Sequence, residues 1–369
     1  MKFTIQRESL IRPLQMVSGV VERRQTLPIL SNILVKVTNS QLLMTATDLE
    51  VEMSIELNLI DQLKDGAGEI TIPARKFMDI CRALPDGLSI NLNIEGDRAI
   101  VRAGKSRFVL STLPADDFPG IDANKDLLEL SIPQVELKQA IERTQFAMAH
   151  QDVRYYLNGM LMEIGTNGLR LVATDGHRLA LCDQKLETNS HENQQVIIPR
   201  KGVMEIARLL EDTDAKAKIQ IGSNYIRVTT DGVIFTSKLI DGRFPDYQNV
   251  LPDGGDKIII CDKNELKQAL SRASILSNEK YRGVRLQFSS GLLRIFAHNP
   301  EQEEAEEEVV IDYNGPNLEI GFNVTYLMDA VSACTTENVS LSLSDANSCC
   351  MIQPQGTSGC KYVVMPMRL

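Results

Sequence analysis

The feature that most constrains this chain is a threefold internal repeat with a period of about 125 residues. Glu136-Leu137-Lys138-Gln139-Ala140 recurs unchanged as Glu265-Leu266-Lys267-Gln268-Ala269, and Ser9-Leu10-Ile11-Arg12-Pro13 stands at the matching place near the start. Ala46-Thr47-Asp48 returns as Ala173-Thr174-Asp175 and is echoed by Ala297-His298-Asn299. Ile72-Pro73-Ala74-Arg75-Lys76 returns as Ile198-Pro199-Arg200-Lys201-Gly202, then more faintly as Phe322-Asn323-Val324-Thr325-Tyr326. Three markers in constant order and register predict a triplicated domain. The expected domains are residues 1–125, 126–253 and 254–369, divided near the turn-rich stretches 116–120 and 251–255.

Each repeat reads as α+β. A short strand (residues 2–7, 127–132 and 257–261) leads into an apolar-periodic helix. Asp262 and Glu265 have capping-box spacing at one helix start. Leu137, Ile141, Thr144 and Met148 share one helical face, while Pro13 predicts a kink or a late start in the first helix. Alternating stretches at residues 44–57 and 169–182 read as strands. Residues 225–230 and 233–240 form a hairpin across Asp231-Gly232, since both turn residues tolerate positive φ. A second helix follows each Ile-Pro marker. The fold class is therefore two helices packed on antiparallel sheet, three times over.

Composition removes several function classes. Lys and Arg total 39 against 49 Asp and Glu, a formal charge of −10, which argues against a simple electrostatic nucleic-acid binder. The N-terminus lacks the apolar core of a signal peptide, and no apolar run approaches the ~18–20 residues of a membrane span. The seven cysteines are scattered, without a C-x-x-C pair, so a reducing cytoplasm is expected and a disulfide framework or zinc site is not. Histidines 150, 177, 191 and 298 form no ligand set, and neither a P-loop nor G-x-G-x-x-G occurs, so no metal or cofactor is expected.

The repeats also place basic residues at matching points. Arg75, Lys76 and Arg82 in one second helix answer to Arg200, Lys201 and Arg208 in the next, and the first helices add Arg12, Lys138, Arg143, Lys267 and Arg272. Any one of these reads as a solvated helix face; together they predict a basic stripe on an acidic protein. If the helices line a ring, three units leave almost no hole, because six helices at ~8–10 Å spacing give only ~17 Å between opposite axes. Six units give ~35 Å between axes and a hole of at least ~25 Å, enough for a duplex. That geometry requires a head-to-tail dimer.

Four further stretches carry open alternatives. Tyr155-Tyr156-Leu157, close to Gln151 and Arg154, is either half-buried packing or a loop touching a nucleic-acid backbone. In Thr174-Asp175-Gly176-His177-Arg178-Leu179, Asp175 and His177 are two apart and would share a strand face as an acid–base pair, yet no nucleophile accompanies them. The tail from Lys361 to Leu369 is either a terminal core strand or an adaptable Met-rich surface. The glutamate run 301–308 leads into an expected strand at residues 309–313.

Residues 146–161, Thr174 to Leu179, Gly242-Arg243-Phe244-Pro245-Asp246-Tyr247 and residues 362–369 together resemble the bacterial DNA polymerase III beta subunits, the sliding clamps, in a proteobacterial form. The likeness runs from Met1 to Leu369. It implies a non-catalytic, head-to-tail dimeric ring of six domains that encircles duplex DNA without sequence preference and tethers the polymerase. The positions matching DNA contacts are Arg24, Arg75, Gln151, Tyr155 and Tyr156. A pocket between the second and third domains is implied, where the polymerase III alpha subunit, the clamp loader, other polymerases and repair proteins dock a short linear motif. Its matching positions are Leu157, Thr174, Gly176, His177, Arg178 and Leu179, with Pro245 and Val250. Asn323, Tyr326, Val363, Met365, Pro366, Met367 and Arg368 complete it. At the subunit junction the family pattern sets Lys105, Arg107 and Phe108 against Ile275, Leu276, Glu303 and Glu304. Three departures stand out: Asn249 where relatives can carry Arg, Cys349-Cys350 near the pocket, and Lys105 in place of a junctional Arg. Two rival readings remain, a peptide-binding scaffold that does not encircle DNA and a cytosolic hydrolase built on Asp175 and His177.

Overall fold

The structure is a computed structural model that describes residues 1–21, 27–38, 40–59, 67–121, 128–166, 168–186, 193–252, 255–357 and 359–368. The first third runs β1 (Lys2–Gln6), α1 (Arg7–Val20), β2 (Asn32–Val37), β3 (Gln41–Thr47), β4 (Val51–Asn58), β5 (Gly68–Pro73), α2 (Ala74–Ala83), β6 (Ser89–Glu95), β7 (Arg98–Ala103) and β8 (Ser106–Ser111). The second runs β9 (Leu128–Pro133), α3 (Gln134–Glu142), β10 (Gly159–Gly165), β11 (Gly168–Thr174), β12 (Arg178–Gln184), β13 (Gln194–Pro199), α4 (Arg200–Leu209), β14 (Lys216–Ile221), β15 (Tyr225–Thr230) and β16 (Val233–Lys238). The third runs β17 (Lys257–Asp262), α5 (Lys263–Ile275), β18 (Gly283–Ser289), β19 (Leu292–His298), β20 (Glu304–Val310), β21 (Leu318–Asn323), α6 (Val324–Ala333), β22 (Asn338–Leu343), β23 (Cys350–Pro354) and β24 (Cys360–Val364). The order strand, helix, four strands, helix, three strands thus occurs three times, as the sequence markers predict.

The chain packs as two compact units that cut across the repeats. One comprises Met1–Pro133 with Asp214–Leu239, the other Gln134–Thr213 with Ile240–Leu369. Sheet continuity is the reason. In the first unit an eight-stranded sheet, β5-β2-β3-β4-β16-β15-β14-β9, takes four strands from each of two repeats, beside a four-stranded sheet β1-β6-β7-β8. In the second unit the sheet β13-β10-β11-β12-β24-β23-β22-β17 does the same, beside β20-β19-β18-β21. The joints are antiparallel pairs of β4 with β16 and of β12 with β24. Both expected domain boundaries fall on residues outside the described set.

The helices cover these sheets with one apolar face each. Leu10, Leu14 and Val17 of α1, Phe77 and Cys81 of α2, and Val203 and Ile206 of α4 are buried. At ~1.5–3 kcal/mol for each fully buried large side chain, this packing outweighs the helices' own propensities. Asp262 accepts a hydrogen bond from Glu265 N (2.8 Å), the expected cap of α5.

Several expectations need correction. The late start that Pro13 allowed does not occur: α1 begins at Arg7 and carries Pro13 inside it, with Leu10, Leu14 and Val17 buried on either side. Helix α3 stops at Glu142, so Thr144 and Met148 lie beyond it; Thr144 turns its hydroxyl back to Ala140 O (2.8 Å) and a 3-10 turn follows at Gln145–Ala147. The glutamate run enters the strand earlier than expected, since β20 spans Glu304–Val310 and takes in Glu304, Glu306, Glu307 and Glu308. Cys182 and Cys360 form a disulfide, against the expectation of scattered thiols. They are direct cross-strand partners in β12 and β24, with Cα atoms 4.1 Å apart, an adjacency their separation of 178 residues conceals. The basic stripe is partly neutralised within the chain: Lys138 pairs with Asp212, Arg208 with Glu205 and Arg272 with Glu307.

Candidate functional site

The repeated Ala-Thr-Asp marker is a hairpin device. Between β3 and β4, the Thr47 hydroxyl donates to Val51 O (2.9 Å) and Asp48 accepts from Glu50 N and Val51 N. Between β11 and β12, the Thr174 hydroxyl donates to Arg178 O (2.6 Å), and Asp175 accepts from His177 N (2.9 Å) and Arg178 N (3.0 Å). Gly176 takes φ +88° in that turn, where an L side chain is strained. Asp175 and His177 therefore lie in a turn and not on one strand face. The Asp175 carboxylate is committed to two backbone amides and to Arg178 Nε (3.1 Å), which removes the acid–base pairing considered from sequence.

This hairpin forms one side of an apolar cavity of about 170 Å³. Leu157, Thr174, Leu179 and Val363 line it, with Pro245, Tyr247 and Val250 from the segment around the 3-10 turn Tyr247–Val250, and Met365 from the tail. Beneath lie Leu161, Val172, Leu181, Ile197 and Phe244. The volume is below the ~300–1,000 Å³ of typical small-molecule sites.

Charged groups at the rim are held by internal partners. Arg154 Nε and Nη2 donate to Asp152 (3.0 and 2.9 Å), and the Arg154 guanidinium pulls the Asp152 carboxyl down to about 2. Arg178 donates to Asp175, Asp329 and Phe146 O, and its guanidinium lies 4.5 Å from the Tyr326 ring centroid. The Tyr247 hydroxyl donates to Glu163 and accepts from Arg170 Nη1 (3.2 Å), and burial raises its pKa.

Of the expected pocket positions, Leu157, Thr174, Gly176, Arg178, Leu179, Pro245, Val250, Val363 and Met365 line this cavity. His177, Asn323 and Tyr326 do not line it but group beside it. The His177 ring stacks on Tyr326 with centroids 6.5 Å apart, and Asn323 caps α6 by accepting from Thr325 N (2.9 Å) and Tyr326 N (3.2 Å). Pro366, Met367 and Arg368 continue past the cavity. Met365 N donates to His177 O and Met367 N to Gly321 O (both 2.9 Å), which ties down the tail. The sequence reading missed Tyr247, Asp246 and Arg154 in the lining, and expected Tyr156 at the DNA and not here. Asp246 and Tyr247 follow Phe244-Pro245 directly in sequence, and only the fold turns them toward the cavity.

The loop before β10 serves two surfaces. Asn158 closes it by accepting from Asp152 N (2.9 Å) and donating to Asp152 O (2.8 Å). Tyr155 then points outward, 57% exposed, while Tyr156 turns into the cavity wall. Gln151 is exposed with φ +57°. Arg75 is exposed on the first turn of α2, and Arg24 lies outside the described residues. Of the junction positions, Lys105 precedes β8, and Arg107 and Phe108 lie in it. Glu303 precedes β20, which Glu304 opens, and Ile275, 74% exposed, ends α5 beside the half-buried Leu276. Among the described residues no helix is long and apolar enough to cross a membrane, and no His/Cys/Asp/Glu group could hold a metal ion.

Fold and site define a triplicated α+β protein with an apolar cavity beside the hairpin of β11 and β12. Family models identify the three repeats as DNA polymerase III beta subunit domains: N-terminal over residues 1–122, central over 131–246 and C-terminal over 248–368. The chain is 56% identical to the beta sliding clamp of Pseudomonas aeruginosa and 53% identical to that of Escherichia coli K12, over 369 residues and the full length of each. It superposes with a TM-score of 0.97 on the P. aeruginosa sliding clamp bound to griselimycin, at 56% identity and 100% coverage of both chains. The chain belongs to the DNA polymerase III beta subunit family, the bacterial sliding clamps.

Proposed function

We propose that the chain is a polymerase processivity factor: two copies close head-to-tail into a six-domain ring around duplex DNA, and the pocket tethers the polymerase. One observation carries this. In repeat order β4, β12 and β20 are equivalent, and so are β8, β16 and β24. β4 pairs with β16 and β12 with β24, while β20 and β8 each end a four-stranded sheet. A second copy supplies the missing pairing, with β8 of one copy against β20 of the other, and then the reverse. Exposed edge strands seek partners, and Val310 in β20 is 74% exposed. The basic Lys105 and Arg107 would then face Glu303 and Glu304, with Phe108 near Ile275 and Leu276.

Binding is topological, so an acidic protein needs only light contacts to the polyanion; Arg24, Arg75, Gln151, Tyr155 and Tyr156 are assigned to these. No step of catalysis is assigned. The pocket takes a short linear motif from the polymerase III alpha subunit, the clamp loader and other polymerases or repair proteins in the cytoplasm. The domain limits 1–125, 126–253 and 254–369 belong to the same reading. The test is retention after loading by a cognate loader on a nicked circular plasmid and on the same plasmid cut once. Retention on the circle with rapid loss after cutting supports a threaded ring. Equal retention on both would mean surface binding and would restore the peptide-binding scaffold.

A further inference from the structure

Tyr247 stands between the pocket and a row of polar side chains that the pocket itself does not contain. Gln195 of β13, Glu163 of β10, Arg170 of β11 and Asp183 of β12 are successive cross-strand partners on four adjacent strands. Gln195 Nε2 donates to Glu163 Oε1, and Arg170 grips Asp183 through Nε (2.6 Å) and Nη2 (3.0 Å). The Tyr247 hydroxyl drops between the middle two, donating to Glu163 Oε2 and accepting from Arg170 Nη1. Its ring meanwhile walls the cavity and belongs to the same buried apolar cluster as Phe244, Leu179 and Val363.

Tyr247 belongs to a short 3-10 turn in a connection without a strand of its own. Around Tyr247 that turn is held by Leu251 N donating to Gln248 O (3.2 Å) and Asn249 Nδ2 to Asp246 Oδ2 (2.9 Å), both local, while at its far end the Cys349 thiol donates to Val250 O (3.7 Å). The phenol oxygen is therefore an anchor between this wall and the sheet. We propose that Glu163, Arg170 and Asp183 are positioning residues: they hold Tyr247 through its hydroxyl and so set the pocket width that an incoming apolar side chain meets. The proposal rests on the reading of the cavity as the docking pocket.

The test measures griselimycin binding by calorimetry to the full chain and its variants, with thermal midpoints alongside. Tyr247→Phe keeps the ring and its packing and removes only the anchor; Glu163→Ala removes the acceptor; Glu163→Gln retains an accepting oxygen. Tyr247→Phe and Glu163→Ala are each expected to weaken binding about fivefold to tenfold. The double variant should be no worse than either single one, and Glu163→Gln should stay within about twofold of the parent. A role in general stability alone would lower the thermal midpoint and leave the dissociation constants unchanged. Unchanged constants in Tyr247→Phe and Glu163→Ala, or losses that simply add, would overturn the positioning role while the pocket stands. A parent chain that does not bind griselimycin would overturn both.

Discussion

At the scale of single residues, backbone geometry and charge pairing shape the pocket rim. Gly176 sits at φ +88°, and a Cβ built there comes within 3.1 Å of the Arg154 guanidinium. Gly176→Ala is expected to cost roughly 1–2 kcal/mol, because the left-handed conformation penalises a β-carbon. Thermal unfolding checks this, and an unchanged midpoint would contradict it. Asp152 supplies a pH prediction. Its carboxyl lies at about 2 against an ordinary 3.8, held down first by the Arg154 side chain and then by the Arg154 amide. A depressed acid contributes its stabilisation above the unfolded value and loses it as pH falls, so this contribution should fade from about pH 4 to about pH 2. NMR titration should show that midpoint, and Arg154→Ala should return it toward 3.8. These residues also mark the limits of sequence. His177 and Asp175 read as an acid–base pair, because spacing alone does not distinguish a strand from an Asx turn. Tyr247 has no legible role in the sequence, since a buried tyrosine looks like packing until its hydroxyl partners, Glu163 and Arg170, are brought together by two strands.

Among elements, the repeated strand and helix order was legible because it rests on periodicity and turn chemistry. Asp231-Gly232 marked the β15–β16 hairpin, and Gly232 takes φ +72°. The pairings that cross repeats, β4 with β16 and β12 with β24, were not legible, since no local signal reports a partner far away in sequence. The same blindness hid the Cys182–Cys360 bond. The tail after β24 is bound to its surroundings through Met365 N and Met367 N. Deleting residues 365–369 should leave the sheets folded, because β24 ends at Val364, yet weaken polymerase binding about tenfold or more through loss of the Met365 wall. A pull-down titration with the polymerase III alpha subunit reads this directly. Unaltered binding would remove Met365 from the docking site.

For the whole molecule, the prediction concerns the seam between copies. Arg107→Glu would set like charge against Glu303 and Glu304 and should raise the dimer dissociation constant at least about tenfold, with the effect shrinking at high salt. Sedimentation at several ionic strengths checks both parts. A dimer unmoved by the change would disprove the β8–β20 seam.

The joints of β4 with β16 and of β12 with β24 have a further consequence, because both unite segments of one polypeptide. A parted joint of that kind has its partner still tethered, so it re-forms at an effective concentration that dilution cannot lower. A seam between two molecules has no covalent tether: when one seam of the ring parts, only the other holds the copies together, and once both part their return obeys mass action. In the proposed ring, joints of one strand chemistry would therefore differ in permanence through connectivity alone: those within a copy behave as welds, and those between copies as clasps that dilution can loosen.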